Sequence, residues 1–168
     1  VFGMPMPDAI ASYEVTTAAP DGTEVGTTYL VTANEGDARQ DWPGYAEEIR
    51  VGSSAYKLDP TAFPNATALK ANAALGRLTV TSAAGRAGGD LDGDGDVDRI
   101  QVFGARSASI WSTDGTLVWD SKDLFEQVTA VANPTFFNST NNANEFDTRS
   151  DNKGPEPDRK STRLNSSH

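Results

Sequence analysis

The sequence predicts an all-β chain with one or two short helices. Three observations carry that reading. Short runs alternate apolar and polar residues and are rich in Val, Ile, Thr and aromatic side chains, which suit a pleated, half-buried surface. Asp-Gly pairs at Asp21-Gly22 and Asp114-Gly115 mark tight turns, where glycine takes a positive φ without a Cβ clash. The runs also recur at short spacing, with Pro and Gly between them.

Residues 8–15 alternate around Ile10, and residues 27–33 hold a β-branched and aromatic run; joined through Asp21-Gly22, they read as a hairpin with a longish loop. Residues 48–51 form a short alternating strand. Pro60 and Pro64 then break the chain, and residues 66–74, with Leu69 and Ala73, suit a short helix. Strands are expected at 78–81, 100–103, 107–111 and 116–120, the last two joined by the Thr113-Asp114-Gly115 turn. Four strands so joined look like one propeller blade. A sandwich gives a similar local pattern, so periodicity leaves both open. Residues 121–132 read as a helix with Leu124, Val128 and Val131 on one face and Ser121 as its N-cap. Trp111 and Trp119 read as core or cross-strand packing rather than sugar platforms. Residues 133–157 form a polar loop too long for a mere connector, and such loops are functional or disordered.

The most chemically specific stretch is 90–98, Asp-Leu-Asp-Gly-Asp-Gly-Asp-Val-Asp, in which Asp90, Asp92, Asp94, Gly95 and Asp98 fill the pattern D-x-D-x-D-G-x-x-D. Five carboxylates, those of Asp90, Asp92, Asp94, Asp96 and Asp98, repel one another in this loop unless a cation sits among them. Ca²⁺ is hard, takes about six to eight oxygens and tolerates irregular geometry, so it is the expected ion, held structurally. The position of an EF-hand's bidentate Glu falls on Gln101, so the loop is not an EF-hand. It resembles the shorter calcium loops of thrombospondin-type and integrin-type repeats. The competing reading is a solvated acidic turn.

Composition bounds the chemistry. The chain has 168 residues, a net charge of −10, no Cys and one His, His168. Such acidity argues against nucleic acid and anionic membranes as partners. No apolar run reaches the length of about 18 residues that a membrane span needs. Without His or Cys before the last residue, triads using His, thiol nucleophiles and His/Cys zinc sites are excluded from residues 1–157. Carboxylate and calcium chemistry remain, and the acidity fits a secreted or surface protein in millimolar Ca²⁺.

Residues 6–11 (MPDAIA), 32–39 (TANEGDAR), 103–111 (FGARSASIW) and 149–157 (RSDNKGPEP) together resemble the choice-of-anchor I family of bacterial surface and secreted proteins. That family is also related to mesenchyme-specific cell-surface glycoproteins, and some members are described as alkaline phosphatases. The resemblance implies a β-propeller of which residues 1–157 supply about two blades. Residues 158–168, DRKSTRLNSSH, resemble a translated sequencing adapter codon for codon and are set aside from fold reasoning. The start at Val1 is likewise read as internal, so the signal and anchor expected of a secreted or cell-surface protein lie outside the chain.

Two further constellations are candidate sites. Glu35, Asp37 and Arg39 follow a strand directly and, with Asp151, form either a metal or anion site on a propeller face or a hydrogen-bonded corner between blades. Arg149, Lys153 and Glu156 form a mixed-charge loop in which the cations could clamp a phosphate beside Ca²⁺, or else an inter-blade ion-pair loop. Two functions follow. One is a calcium-binding display or binding module recognising a surface ligand. The alternative is a calcium-dependent phosphoesterase, of alkaline phosphatase or phytase type, acting on a phosphate ester. The sequence does not set the oligomeric state.

Overall fold

The structure, a computed structural model, describes residues 1–40, 42–140, 142 and 144–158. The adapter-like stretch therefore lies, apart from Asp158, outside the described residues. The chain is all-β, with two short helices and no closed barrel among the described residues. Its strands are β1 (Phe2–Met4), β2 (Ala9–Ala18), β3 (Glu24–Asn34), β4 (Glu48–Arg50), β5 (Thr79–Thr81), β6 (Gln101–Phe103), β7 (Ser107–Ser112) and β8 (Leu117–Asp120).

β2, β3, β7 and β8 make a four-stranded antiparallel sheet in that order, the size of one propeller blade. The other strands form two-stranded ladders, antiparallel β4-β5 and parallel β1-β6. The blade therefore differs from the one suggested by the four tightly spaced strands at 78–120. The long β2-β3 hairpin takes β7 as its neighbour, Tyr29 opposite Ser112 through Asn34 opposite Ser107. β5 and β6 pair elsewhere. β1 has no alternation to reveal it, because it is short and pairs only across the fold with β6.

The helices are shorter than the pattern suggested. α1 covers only Ala66–Leu69. Lys70 ends it, with its ammonium bonded to the carbonyls of Ser53 (2.8 Å) and Tyr56 (2.7 Å), a tether that ties the helix end to the preceding segment. α2 runs Leu124–Ala132 and starts after Asp123, not Ser121. The Ser121 hydroxyl instead accepts the amide of Ala108 on β7 at 2.9 Å.

Two buried systems organise the chain. An apolar core of Val51, Tyr56, Leu58, Val80 and Ile100 lies around β4, β5 and the entry to β6, with Phe63, Leu75, Leu78 and Val97 packed against it. The sheet carries a polar spine instead. Asn34 is fully buried; its Oδ1 accepts the Thr32 hydroxyl at 2.8 Å, and its amide donates to Ser107 (3.0 Å) and Ser109 (2.6 Å). Both serines donate to Asp120 Oδ2, at 2.9 and 2.5 Å. Trp111 joins through its indole N–H to Thr32 at 3.0 Å, so it packs across strands as expected. Trp119, with Leu117 and Val118, is about half exposed at the β8 edge, and the apolar α2 residues Leu124, Val128 and Val131 are exposed beside it.

Asn138 and Ser150, within the stretch read as a long polar loop, are tied to the rest of the fold. Arg106 donates to Glu126 on α2 (3.1 Å) and to the Ser150 carbonyl (2.7 Å), while Asn138 donates to Glu126 and to the Ser150 hydroxyl, both at 2.8 Å. Two glycines clasp the loops after β3 and β6. Gly36 and Gly104 both have positive φ, and a Cβ on either would enter the other loop's backbone, so this approach requires glycine at both. The clasp brings the β3 exit, with Glu35 and Asp37, into reach of residues 149–156.

Candidate functional site

The acidic loop joins the short turn Gly85–Ala87 to β6 and sits directly above the apolar core. Gly93 and Gly95 take φ of 88° and 96°, which lets the chain curl around its own carboxylates. Asp90 accepts the Gly93 amide at 2.6 Å and the Gly95 amide at 3.2 Å, one on each oxygen. Asp92 accepts the Asp94 amide (3.2 Å), Asp94 the Asp96 amide (3.1 Å), and Asp98 the Leu91 amide (2.7 Å). Asp98 thus closes the loop back onto its start.

The carboxylates gather into two groups. Asp90, Asp92 and Asp98 each offer an oxygen within 4.8 Å of the others, and so do Asp59, Asp96 and Asp98. Asp94 is exposed and belongs to neither group. Asp59 was missed in the sequence because it lies far from the loop, before Pro60. A parallel bridge pairs Leu58 with Val97, fixed by Asp59 N to Val97 O (3.0 Å) and Val97 N to Lys57 O (2.9 Å). This register sets Asp59 beside Asp98. The matching Leu-Asp and Val-Asp pairs were a signal only once the pairing was known.

Among the described residues no Lys or Arg forms an ion pair with Asp59, Asp90, Asp92, Asp94, Asp96 or Asp98. Arg99, one residue past the loop, turns its guanidinium over the Phe2 ring at 5.0 Å instead. Loss of water, then the charges of Asp94, Asp59 and Asp98, raise the Asp96 carboxyl above its ordinary pKa. Asp96 Oδ1 is buried and has no hydrogen-bond donor. All the donors are hard oxygens, the set Ca²⁺ prefers, so the residues fit that ion. Beside the loop lies a cleft of about 230 Å³, lined by Asp90, Asp96, Lys57, Ser82 and Tyr56 among others. Burial pushes the Tyr56 hydroxyl up to about 12.

The two charged constellations become one partly shared cluster. Lys153 Nζ lies 3.2 Å from Glu156, 3.6 Å from Asp37 and 3.9 Å from Glu35, and Arg149 lies 2.6 Å from the other Glu156 oxygen. Burial opposes the Lys153 charge, but the hydrogen bond and charge of Glu156, with Asp37 and Glu35, raise its pKa. Glu35 is raised too, first by burial and then by Glu156 and Asp8. Arg39 and Asp151 go elsewhere. Arg39 grips buried Glu47 through two side-chain bonds of 3.0 Å, with Trp42 and Tyr45 against its guanidinium. Asp151 is shared by Arg50 (3.3 Å) and Arg77 (3.0 Å).

An open all-β chain with a blade-sized sheet is consistent with a partial propeller-like fold. The sequence profile of the choice-of-anchor I domain matches residues 1–161, and the chain belongs to that family. The family is one of bacterial surface-associated or secreted domains. No curated protein and no solved structure matches the chain. Among the described residues no helix is long and apolar enough to cross a membrane.

Proposed function

We propose that this chain is part of a calcium-stabilised β-propeller domain that serves at the bacterial surface as a display or binding module. The observation that carries the reading is the unmatched charge of the acidic loop. Its carboxylates are held close by backbone amides, and among the described residues no Lys or Arg forms an ion pair with them. Binding an ion in the folded state only would stabilise the domain by linkage. Asp90, Asp92 and Asp98 would hold it, with loop carbonyls and water completing the shell. The direct test is thermal unfolding in Ca²⁺ and in chelator. Ca²⁺ raises the melting temperature of the parent, and Asp92→Ala with Asp94→Ala removes the rise. A double variant that responds like the parent refutes the loop as the site.

The phosphoesterase alternative assigns Arg149, Lys153 and Glu156 to a phosphate clamp. Against it, Arg149 and Lys153 are both engaged by Glu156, so an incoming phosphate would have to displace an internal carboxylate. Turnover of an aryl phosphate that depends on Ca²⁺ and falls with Arg149→Ala and Lys153→Ala would favour the enzyme over the module.

A further inference from the structure

We infer that two copies of this chain pack face to face through the uncharged face of the β2-β3-β7-β8 sheet. Strand pairing fixes which side chains share that face. Ala11 lies opposite Val31, Val31 opposite Ile110 and Ile110 opposite Trp119, so one apolar row crosses all four strands. The next row sets Tyr13 opposite Tyr29, and their rings stack with centroids 5.6 Å apart. Val15, Val25 and Leu117 belong to the same face by alternation. Tyr13, Val15, Val25, Leu117 and Trp119 are all exposed.

Charge selects the occupant. The four strands carry three charged side chains, Glu14, Glu24 and Asp120. The same alternation puts all three on the opposite face, where Asp120 joins the Asn34 spine and Glu14 folds over Gly26. In a chain of net charge −10, contact between copies elsewhere tends to bring carboxylates together. This face meets its own copy with none, and it offers no carboxylate to a basic partner. Its complement is another apolar sheet face, which a second copy supplies across a two-fold axis. Four strands about 4.8 Å apart outline on the order of 400–500 Å². Leu124 on α2 lines one groove with Leu117 and Trp119, and the exposed Val128 and Val131 extend the apolar surface along α2. Together they approach the roughly 800 Å² per partner of a standard interface.

Sedimentation velocity of the full chain across the micromolar range tests this. The parent is expected to show a monomer–dimer equilibrium that stops at two copies. Trp119→Glu and Trp119→Lys each set like charges across the contact and raise the dissociation constant about 100-fold or more. Mixed in equal amounts, these two variants form a heterodimer, which misfolded chains would not. Val118→Glu, one residue away but on the opposite face, leaves the dimer intact. A parent that stays monomeric throughout the range overturns a second copy as the occupant, as does a mixture that stays monomeric. A dimer lost with Val118→Glu but kept with Trp119→Glu overturns the choice of face. An assembly that grows past two copies overturns the two-fold contact in favour of pairing along the β2 or β8 edge.

Discussion

The acidic loop and the Lys153 cluster are both crowded with charge, but they resolve it differently. Around Lys153 the chain supplies its own counter-ions, and Glu35, Asp37, Glu156 and Arg149 close a mixed-sign network. At 90–98 the carboxylates face one another, and the nearest arginine turns away onto Phe2. Charge balanced within the chain describes a structural corner. Charge left unbalanced but held in place by amides is the pattern on which the proposed calcium site rests. The same sequence feature, a run of charged residues in a glycine-rich loop, thus acquires opposite meanings from its neighbours in space.

Each region rests on a different buried floor, and removing the floors is the strongest way to separate them. Ile100 lies beneath the acidic loop at 1% exposure, and Ile100→Ala should cost about 2–5 kcal/mol through lost burial and the cavity left behind. It should also blunt any response to Ca²⁺, read as a shift in the denaturant midpoint with and without the ion. Asn34 lies beneath the other region, immediately before Glu35. Asn34→Ala orphans part of the Thr32, Ser107 and Ser109 network and should cost about 1–3 kcal/mol, with the Ca²⁺ response intact.

Acid titration sharpens the contrast in a third place. Hydrogen bonds from Arg39 hold the Glu47 carboxyl below its ordinary value of 4.5. Its folded pKa is therefore below the unfolded one, and its contribution is complete above pH about 4.5 and lost as pH falls through the lower folded value. Glu47→Gln should flatten the loss of stability on that acid limb in unfolding measured against pH. The smallest effect belongs to the Lys153 cluster. Its members are partly exposed and screened, so Lys153→Met should change stability by less than about 1 kcal/mol, diminishing with added salt, and leave Ca²⁺ binding untouched.

Much of the fold was legible because it is local. The β2-β3 hairpin and the β7-β8 turn at Asp114-Gly115 declare themselves locally, where alternation and turn chemistry agree. The partners across the chain were not legible. The choice of β7 as the neighbour of β3 depends on a buried Asn34 meeting Ser107 and Ser109, residues whose polarity suggests exposure. The Ser121 cap failed because a hydroxyl that could cap α2 is taken by a backbone amide of β7. Asp59 was invisible for the same reason, since a parallel bridge carries no turn signal in sequence. The apolar stripe of α2 was read correctly as a stripe, yet it meets solvent in this chain.

The most direct measurement compares the Ca²⁺-induced melting shift in three proteins: the parent, Asp92→Asn with Asp98→Asn, and Glu35→Gln with Glu156→Gln. At a free Ca²⁺ of about 100 times the dissociation constant, linkage gives about 2.7 kcal/mol, or a rise of about 5–10 °C for a chain of this size. The account predicts that rise in the parent and in the Glu35/Glu156 variant, and none in the loop variant. A loop variant that rises as far as the parent, or a Glu35/Glu156 variant that loses the rise, would contradict it.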